Sequence, residues 1–298
     1  MKNYNFDTLP DLLYEKKWLK RAVEVEKNFL DISENICSNF QKLENNYCRL
    51  RQIKAYKFKK KIWKRNHRNN EFGSGVSLVL KGQLFEKVGI NISTVSGIFS
   101  DDFKYKIKGA SDDPRFFATG VSVVAHMFSP FIPAAHYNSR FIVTRKAWFG
   151  GGCDLTPTYY ENTVKRKFHQ MLKRFCDKHS KNYYKDFSQW CSEYFFLKHR
   201  NEERGIGGIF YDYLNNNWEK DFLFTSQTGR FFNESFCSFI TKYQKKDWKD
   251  IHRRKLFAKR SKYAEFNLLY DRGTLFGLKT NGNVDAILMS MPPLASWG

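Results

Sequence analysis

A chain of 298 residues with 42% apolar and 17% aromatic content can bury a substantial core, which excludes a disordered protein. It carries no apolar run long enough to span a bilayer, so no membrane span is expected. The net charge of +21, from 51 Lys and Arg against 30 Asp and Glu, favours a polyanionic partner. That partner could be nucleic acid, an anionic membrane, or a small molecule with several carboxylates or phosphates. The joint richness in Lys, Asn, Phe and Tyr is also the mark of a biased genome, so charge alone selects none of them.

The first residues, M-K-N-Y-N-F-D-T-L-P, lack the apolar core of a signal peptide. Between 11 and 46, Leu12, Trp18, Ala22, Phe29, Ile32, Ile36, Phe40 and Leu43 recur at helical spacing among Lys and Glu, predicting an amphipathic helix or helix pair. The basic run 57–68, K-F-K-K-K-I-W-K-R-N-H-R, reads as a solvated helix face anchored by its aromatics, with a nucleic-acid or membrane patch as the alternative. A glycine-containing loop follows.

Strand composition then appears at Val76–Leu80, Ile90–Val95, Phe116–Ala125 and Ala135–Val143. No stretch of crossover-helix size separates them, so the sheet should be mostly antiparallel. In the last of these strands a period of two places His136, Asn138 and Arg140 on one face. An ordinary core strand does not line such residues along a single face, so that face is either solvated or the floor of a polar site. Ser122, Val124 and His126 share a face on the preceding strand.

Both strands lead to W-F-G-G-G-C-D-L-T-P-T-Y at 148–159. The glycines read as a turn that lets backbone approach a ligand. Asp154 beside them is expected at the edge of an aromatic pocket, its pKa raised by desolvation and suited to proton transfer. Alternatively it caps the next helix.

Helices are predicted over Glu161–His179, Lys185–Arg200 and Phe231–Phe257, strands over Tyr263–Tyr270 and Asp285–Met291, and a turn at Asp271–Gly273. The G-I-G-G at 205–208 precedes an apolar run and is not a dinucleotide fingerprint, and no P-loop is present. Neither a G-x-S-x-G elbow nor a C-x-x-C pair occurs, so the six cysteines read as free thiols in a reducing compartment, the cytoplasm. His126, His136, His169 and His199 are separated by ten, thirty-three and thirty residues, which matches no compact metal motif. A single α+β domain spanning 1–298 is expected, with a helical, basic part over 1–69 and a catalytic core over 70–298.

Six motifs follow in order: F-F-A-T-G-V-S-V-V-A-H, H-Y-N-S-R, the 148–159 stretch, K-H-R-N-E-E-R-G-I-G-G-I-F-Y-D, Y-A-E-F-N-L-L-Y-D-R-G-T-L-F-G-L and I-L-M-S-M-P-P. From about residue 70 onward this set resembles the oxygen-dependent coproporphyrinogen III oxidases of haem biosynthesis. The resemblance implies a large, mostly antiparallel sheet with helices on both faces, a homodimer, and a cleft at the sheet. It implies oxidative decarboxylation of two propionates of coproporphyrinogen III to vinyls, with dioxygen as co-substrate and no organic cofactor.

It further implies that Asp154 accepts pyrrole N–H groups and a proton, and that His136 donates a proton or contacts substrate. Arg140, Arg204 and Arg272 would grip carboxylates, which a fork of N–H donors suits. Ser122, Asn138, Asp271 and Gly282 would complete the substrate contacts. A divalent metal at His126, His136, His169 and His199 is described for some members. The chain departs from the usual pattern at Asn281–Asn283, where a Gly-rich turn ending in Arg is usual, and at Ser261–Lys262, where Gly-Arg is. Relatives are also expected to continue beyond Ser296–Gly298. The competing functions are a basic nucleic-acid binder, built on the charge, and a histidine-metal hydrolase.

Overall fold

The computed structural model describes residues 9–64, 72–279 and 283–297. The helical stripe at the start of the chain folds as one 36-residue helix, α1 (Lys16–Arg51), which buries Ala22, Val25, Phe29, Ile32, Ile36 and Phe40. It ends where Gln52 turns left-handed at φ 52°.

The basic run is not a helix. Lys59–Lys64 forms β1, an edge strand paired antiparallel to β2 (Phe72–Leu80), and only Trp63 of its six residues is not fully exposed. A row of lysines carries no apolar period from which to tell strand from helix. On an unpaired edge it also discourages further strand addition. Residues 65–68 of the run lie outside the described residues.

β3 (Phe85–Ile98), β4 (Arg115–Met127) and β5 (Ala134–Val143) follow as predicted, each longer than its composition indicated. With β6 (Ala147–Thr156) and β9 (Gly208–Leu214) they complete one seven-stranded sheet of order β1-β2-β3-β4-β5-β6-β9, antiparallel at every pair. The glycine triplet is therefore a strand interior and not a turn. Its glycines admit close strand approach: a Cβ on Gly152 would collide with the Ile209 carbonyl oxygen of β9.

One face of the sheet is apolar. Tyr137 stacks on Phe232 at 5.2 Å, and Phe141 and Phe149 pack edge-on and tilted against Trp218. Those partners belong to α5 (Trp218–Tyr243), which packs with α1 over this face. Helices α3 (Glu161–Asp177) and α4 (Tyr183–Tyr194) border β9. The helix predicted to reach Arg200 stops at Tyr194, and the segment to Glu203 forms a small hairpin, β7 (Phe196–Leu197) with β8 (Glu202–Glu203). A short helix, α2 (Asp101–Lys104), follows β3.

The other face is polar, and one end of it is covered by α6 (Asp250–Leu269) and the chain's last turns. Two strand expectations fail here. Tyr263–Tyr270 lies almost entirely within α6, where Leu256, Arg260, Tyr263, Ala264 and Asn267 bury at helical spacing. Eight residues, six of them aromatic or aliphatic, are too short a window to separate the two periods. Asp285–Met291 is likewise α8 (Val284–Ile287) plus a 3-10 turn, started by Asn283, whose side chain accepts from the Ala286 N–H at 3.1 Å. The predicted turn at Asp271 instead opens α7 (Arg272–Lys279). Apolar groups of α1 and of the strands belong to one buried cluster, so the N-terminal helix is part of the same core as the sheet. The architecture is α+β, as the sequence predicts.

Candidate active site

Cross-strand partners in an antiparallel sheet share a face, so the register defines the polar floor. One transverse row holds Gly120, Arg140 and Gly150, and the next holds Asn91, Ser122, Asn138 and Gly152. A third holds Gly89, Val124, His136 and Asp154. Glycine, serine and asparagine keep this surface shallow, so it suits a flat ligand lying against the sheet.

Along β5 the three polar side chains join into a chain of hydrogen bonds. The ionised Asp154 can only accept, so the 2.7 Å contact of its Oδ2 puts the proton on His136 Nδ1. His136 Nε2 then accepts from Asn138 Nδ2 at 3.2 Å, and Arg140 Nη1 donates to Asn138 Oδ1 at 3.4 Å. At the far end Arg140 Nη2 pairs with Asp212 Oδ2 at 2.8 Å. A carboxylate, an imidazole, an amide, a guanidinium and a second carboxylate thus follow one another across the floor.

Asp212 was not singled out in the sequence, although an acid inside I-F-Y-D-Y-L offered a signal. A bulge aims it. Phe149 pairs with Leu214 but Gly151 pairs with Tyr211, so β9 carries one extra residue there. Tyr213 takes φ 54° to fit it in. The Asp212 Oδ1 accepts from Trp148 Nε1 at 3.2 Å and from the Tyr213 N–H at 3.0 Å, leaving Oδ2 for Arg140.

Asp154 differs from its expectation. It is 3% exposed, and burial alone would push its carboxyl up. The Arg204 charge, with the hydrogen bonds from His136 and Arg204, outweighs that and holds it below the ordinary carboxylate range. Its Oδ1 is bound by Arg204 Nη2. It caps no helix either, since α3 begins at Tyr160 without a side-chain cap.

Arg204 is itself only 1% exposed, its guanidinium lying 4.1 Å from the Phe195 ring centroid and 4.4 Å from that of Tyr263. It pairs with Asp154 under α6, at the covered end of the polar face, and does not open onto the cleft. Arg140, with 30% of its side chain exposed, does.

Asp271 and Arg272 reach the floor through an aromatic stack. Tyr194 donates to Asp271 Oδ1 at 2.9 Å, accepts the Arg272 N–H at 3.2 Å, and stacks on Phe210 at 4.2 Å. Phe210 in turn lies 5.6 Å from the Arg140 guanidinium. The other Asp271 oxygen takes the Thr274 N–H and hydroxyl, capping α7. Gly282 falls outside the described residues. Lys262 pairs with Glu202 at 2.6 Å and Ser261 donates to the Ala258 carbonyl, so neither points to a ligand.

The histidines are dispersed among protein partners. His126 is buried with Nε2 at 3.0 Å from the Ser290 carbonyl, and burial pushes its pKa down to about 3, helped by the nearby Arg260 charge. His169 contacts the Ile206 carbonyl at 2.8 Å and the Tyr184 hydroxyl at 3.1 Å. His199 lies between Tyr270 and Glu265, each at 2.8 Å. Among the described residues no group of three or more His, Cys, Asp or Glu side chains is placed to hold a metal ion.

The sequence profile of the family described as coproporphyrinogen III oxidase matches residues 24–298. The oxygen-dependent coproporphyrinogen-III oxidase of Rickettsia bellii (strain OSU 85-389) is 49% identical over 270 residues, 90% of this chain and 95% of that protein. The proteins of the same name from Rickettsia rickettsii (strain Sheila Smith) and Rickettsia typhi are 49% and 48% identical, over 89% and 92% of this chain and 94% and 98% of theirs. The polar floor, with its histidine, arginine and paired carboxylates, therefore belongs to a member of the coproporphyrinogen III oxidase family.

Proposed function

We propose that this chain carries out the reaction for which its relatives are named, the oxygen-dependent oxidation of coproporphyrinogen III to protoporphyrinogen IX in haem biosynthesis. In each of two propionate side chains a C–H bond and the bond to the carboxyl group break, and a vinyl group and carbon dioxide form. The electron pair and two protons reduce one dioxygen to hydrogen peroxide. No organic cofactor enters the proposal. The observation that carries it is the hydrogen-bonded row His136–Asn138–Arg140 on a shallow floor, closed at its ends by Asp154 and Asp212.

The row supports roles that differ from those the motifs alone suggested. Asp154, buried and doubly paired, acts through His136: it sets the tautomer and stabilises the imidazolium. The proton-transfer atom is His136 Nε2, which faces the cleft beside Asn138. Arg140 offers guanidinium N–H groups to a propionate that positions the macrocycle. Ser122 and Asn138 supply hydrogen bonds beneath the ring, and Arg272 a second cation at the rim.

A homodimer in the cytoplasm is part of the same proposal. All six cysteines are free thiols, and among the described residues no helix is long and apolar enough to cross a membrane. Residues 1–69 and 70–298 act as one catalytic domain, in keeping with the shared core. The test is an aerobic assay with coproporphyrinogen III, following the fluorescence of the divinyl product after oxidation. Absence of that product from folded protein would overturn the proposal.

A further inference from the structure

The segment from Arg49 to Lys64 plays no part in the site. It holds eight cations, Arg49, Arg51, Lys54, Lys57, Lys59, Lys60, Lys61 and Lys64, and no acid in sixteen residues. Every one of the eight is exposed. Aliphatic and aromatic side chains stand among them in water: Leu50 is 67% exposed, Ile62 63%, Tyr56 44% and Ile53 42%. A surface that only repelled other strands would need the lysines and not the apolar groups.

The segment is also held in place. Gln41 of α1 donates to the Tyr56 carbonyl at 2.8 Å and accepts the Phe58 N–H at 3.1 Å. Arg51 lies 3.8 Å from the Tyr47 ring centroid and donates to the Gln244 carbonyl at 3.1 Å. Lys61 makes an exposed pair with Asp285 at 2.9 Å, which water screens.

Between α1 and the β1–β2 edge an open trough of about 560 Å³ adjoins the segment. Its walls include Leu30, Phe58, Leu78 and Ile92, with Lys57 and Lys60 beside them and Glu34 as the one acid. Ile62 pairs across the strands with Val76, another wall residue.

We propose that this edge of the protein, Arg49–Lys64 with the trough behind β1, docks it onto an anionic lipid surface, Lys60 and Ile62 lying on the trough side of β1 and Lys59 and Lys61 on the other. The cations meet the headgroups, and the exposed aliphatic groups enter the boundary between headgroup and acyl chain. The exposed Leu50, Ile53 and Ile62 decide for lipid over nucleic acid, because phosphate backbones reward cations and aromatic stacking but not aliphatic side chains. Among the described residues no helix is long and apolar enough to span a bilayer, so the association is peripheral and reversible.

The test is co-sedimentation of the whole protein with phosphatidylcholine vesicles, with and without phosphatidylglycerol, at low and physiological salt. Binding should require phosphatidylglycerol and weaken with salt. A Lys or Arg near such a surface is worth about 1 kcal/mol, so Lys59→Ser, Lys60→Ser and Lys61→Ser together should weaken binding about a hundredfold. Leu50→Ser with Ile53→Ser and Ile62→Ser should weaken it as well, while circular dichroism shows both variants folded and turnover of soluble substrate stays unchanged. Failure of the wild type to sediment with phosphatidylglycerol vesicles would overturn the inference, as would wild-type binding by the triple-lysine variant. An aliphatic variant that binds vesicles normally, with a lysine-dependent affinity for random duplex DNA at least as high, would move the face to nucleic acid and refute the lipid assignment.

Discussion

Replacing Asp154 by asparagine preserves shape and removes one charge, and its consequences follow from the burial of Arg204. The motif alone suggested a proton-transfer group that could be lost with the fold intact. The structure makes Asp154 the counter-ion of a guanidinium that is 1% exposed and whose Nε has no hydrogen-bond partner. Removing one member of a buried pair strands the other, at a cost of about 3–5 kcal/mol. At roughly 2–4 °C per kcal/mol for a chain of this size, the melting temperature should fall by about 6–20 °C.

Turnover should fall by ~10²–10⁴, because His136 loses the group that sets its tautomer. The control is Arg204→Met. Combined with Asp154→Asn, it removes the stranded charge and should recover part of the melting temperature without recovering turnover. Circular dichroism melts and the aerobic assay measure the two effects separately. An Asp154→Asn protein that melts within about a degree of the wild type contradicts the buried-pair argument, and near wild-type kcat contradicts the role through His136.

Arg140→Ala should lower kcat/KM by about one and a half to four decades, from ~2–5 kcal/mol for a desolvated charge pair, and Arg140→Lys should recover only part; equal activity of Arg140→Ala and wild type would place the site elsewhere. Asp212→Asn should raise KM more than it lowers kcat, since it frees Arg140 to leave its aim while the His136–Asp154 pair stays in place; an unchanged KM argues against that positioning. The Glu265 carboxyl is held at about 2 by hydrogen bonds from Arg200, with His199 and Trp297 adding to them against the effect of burial. Its folded pKa lies below its ordinary value, so its contribution to stability is complete above about pH 4.5 and is lost as pH falls towards 2. Urea midpoints of Glu265→Gln should therefore vary less with pH across that window than those of the wild type. Exhaustive chelation should leave activity within a factor of about two, because the four histidine side chains hold protein partners at separate places; a large loss restored by one divalent ion would return them to the site as ligands.

The sequence by itself determined what local periodicity can specify. A period of two along Ala135–Val143 was enough to put His136, Asn138 and Arg140 on one face, and a period near four was enough for α1. The order of six motifs was enough for the family, because long strings of specific residues carry information that no single contact does. Tertiary structure decided the rest, for two physical reasons. Short apolar windows such as Tyr263–Tyr270 satisfy both periods, and only packing against the polar face made this one a helix. Charge states depend on partners remote in sequence. Asp154 meets Arg204 from 50 residues away, and Arg140 meets Asp212 only through a bulge in β9. Burial was foreseeable at Asp154, and alone it would have raised the carboxyl's pKa. The guanidinium that reverses this arrives with the fold.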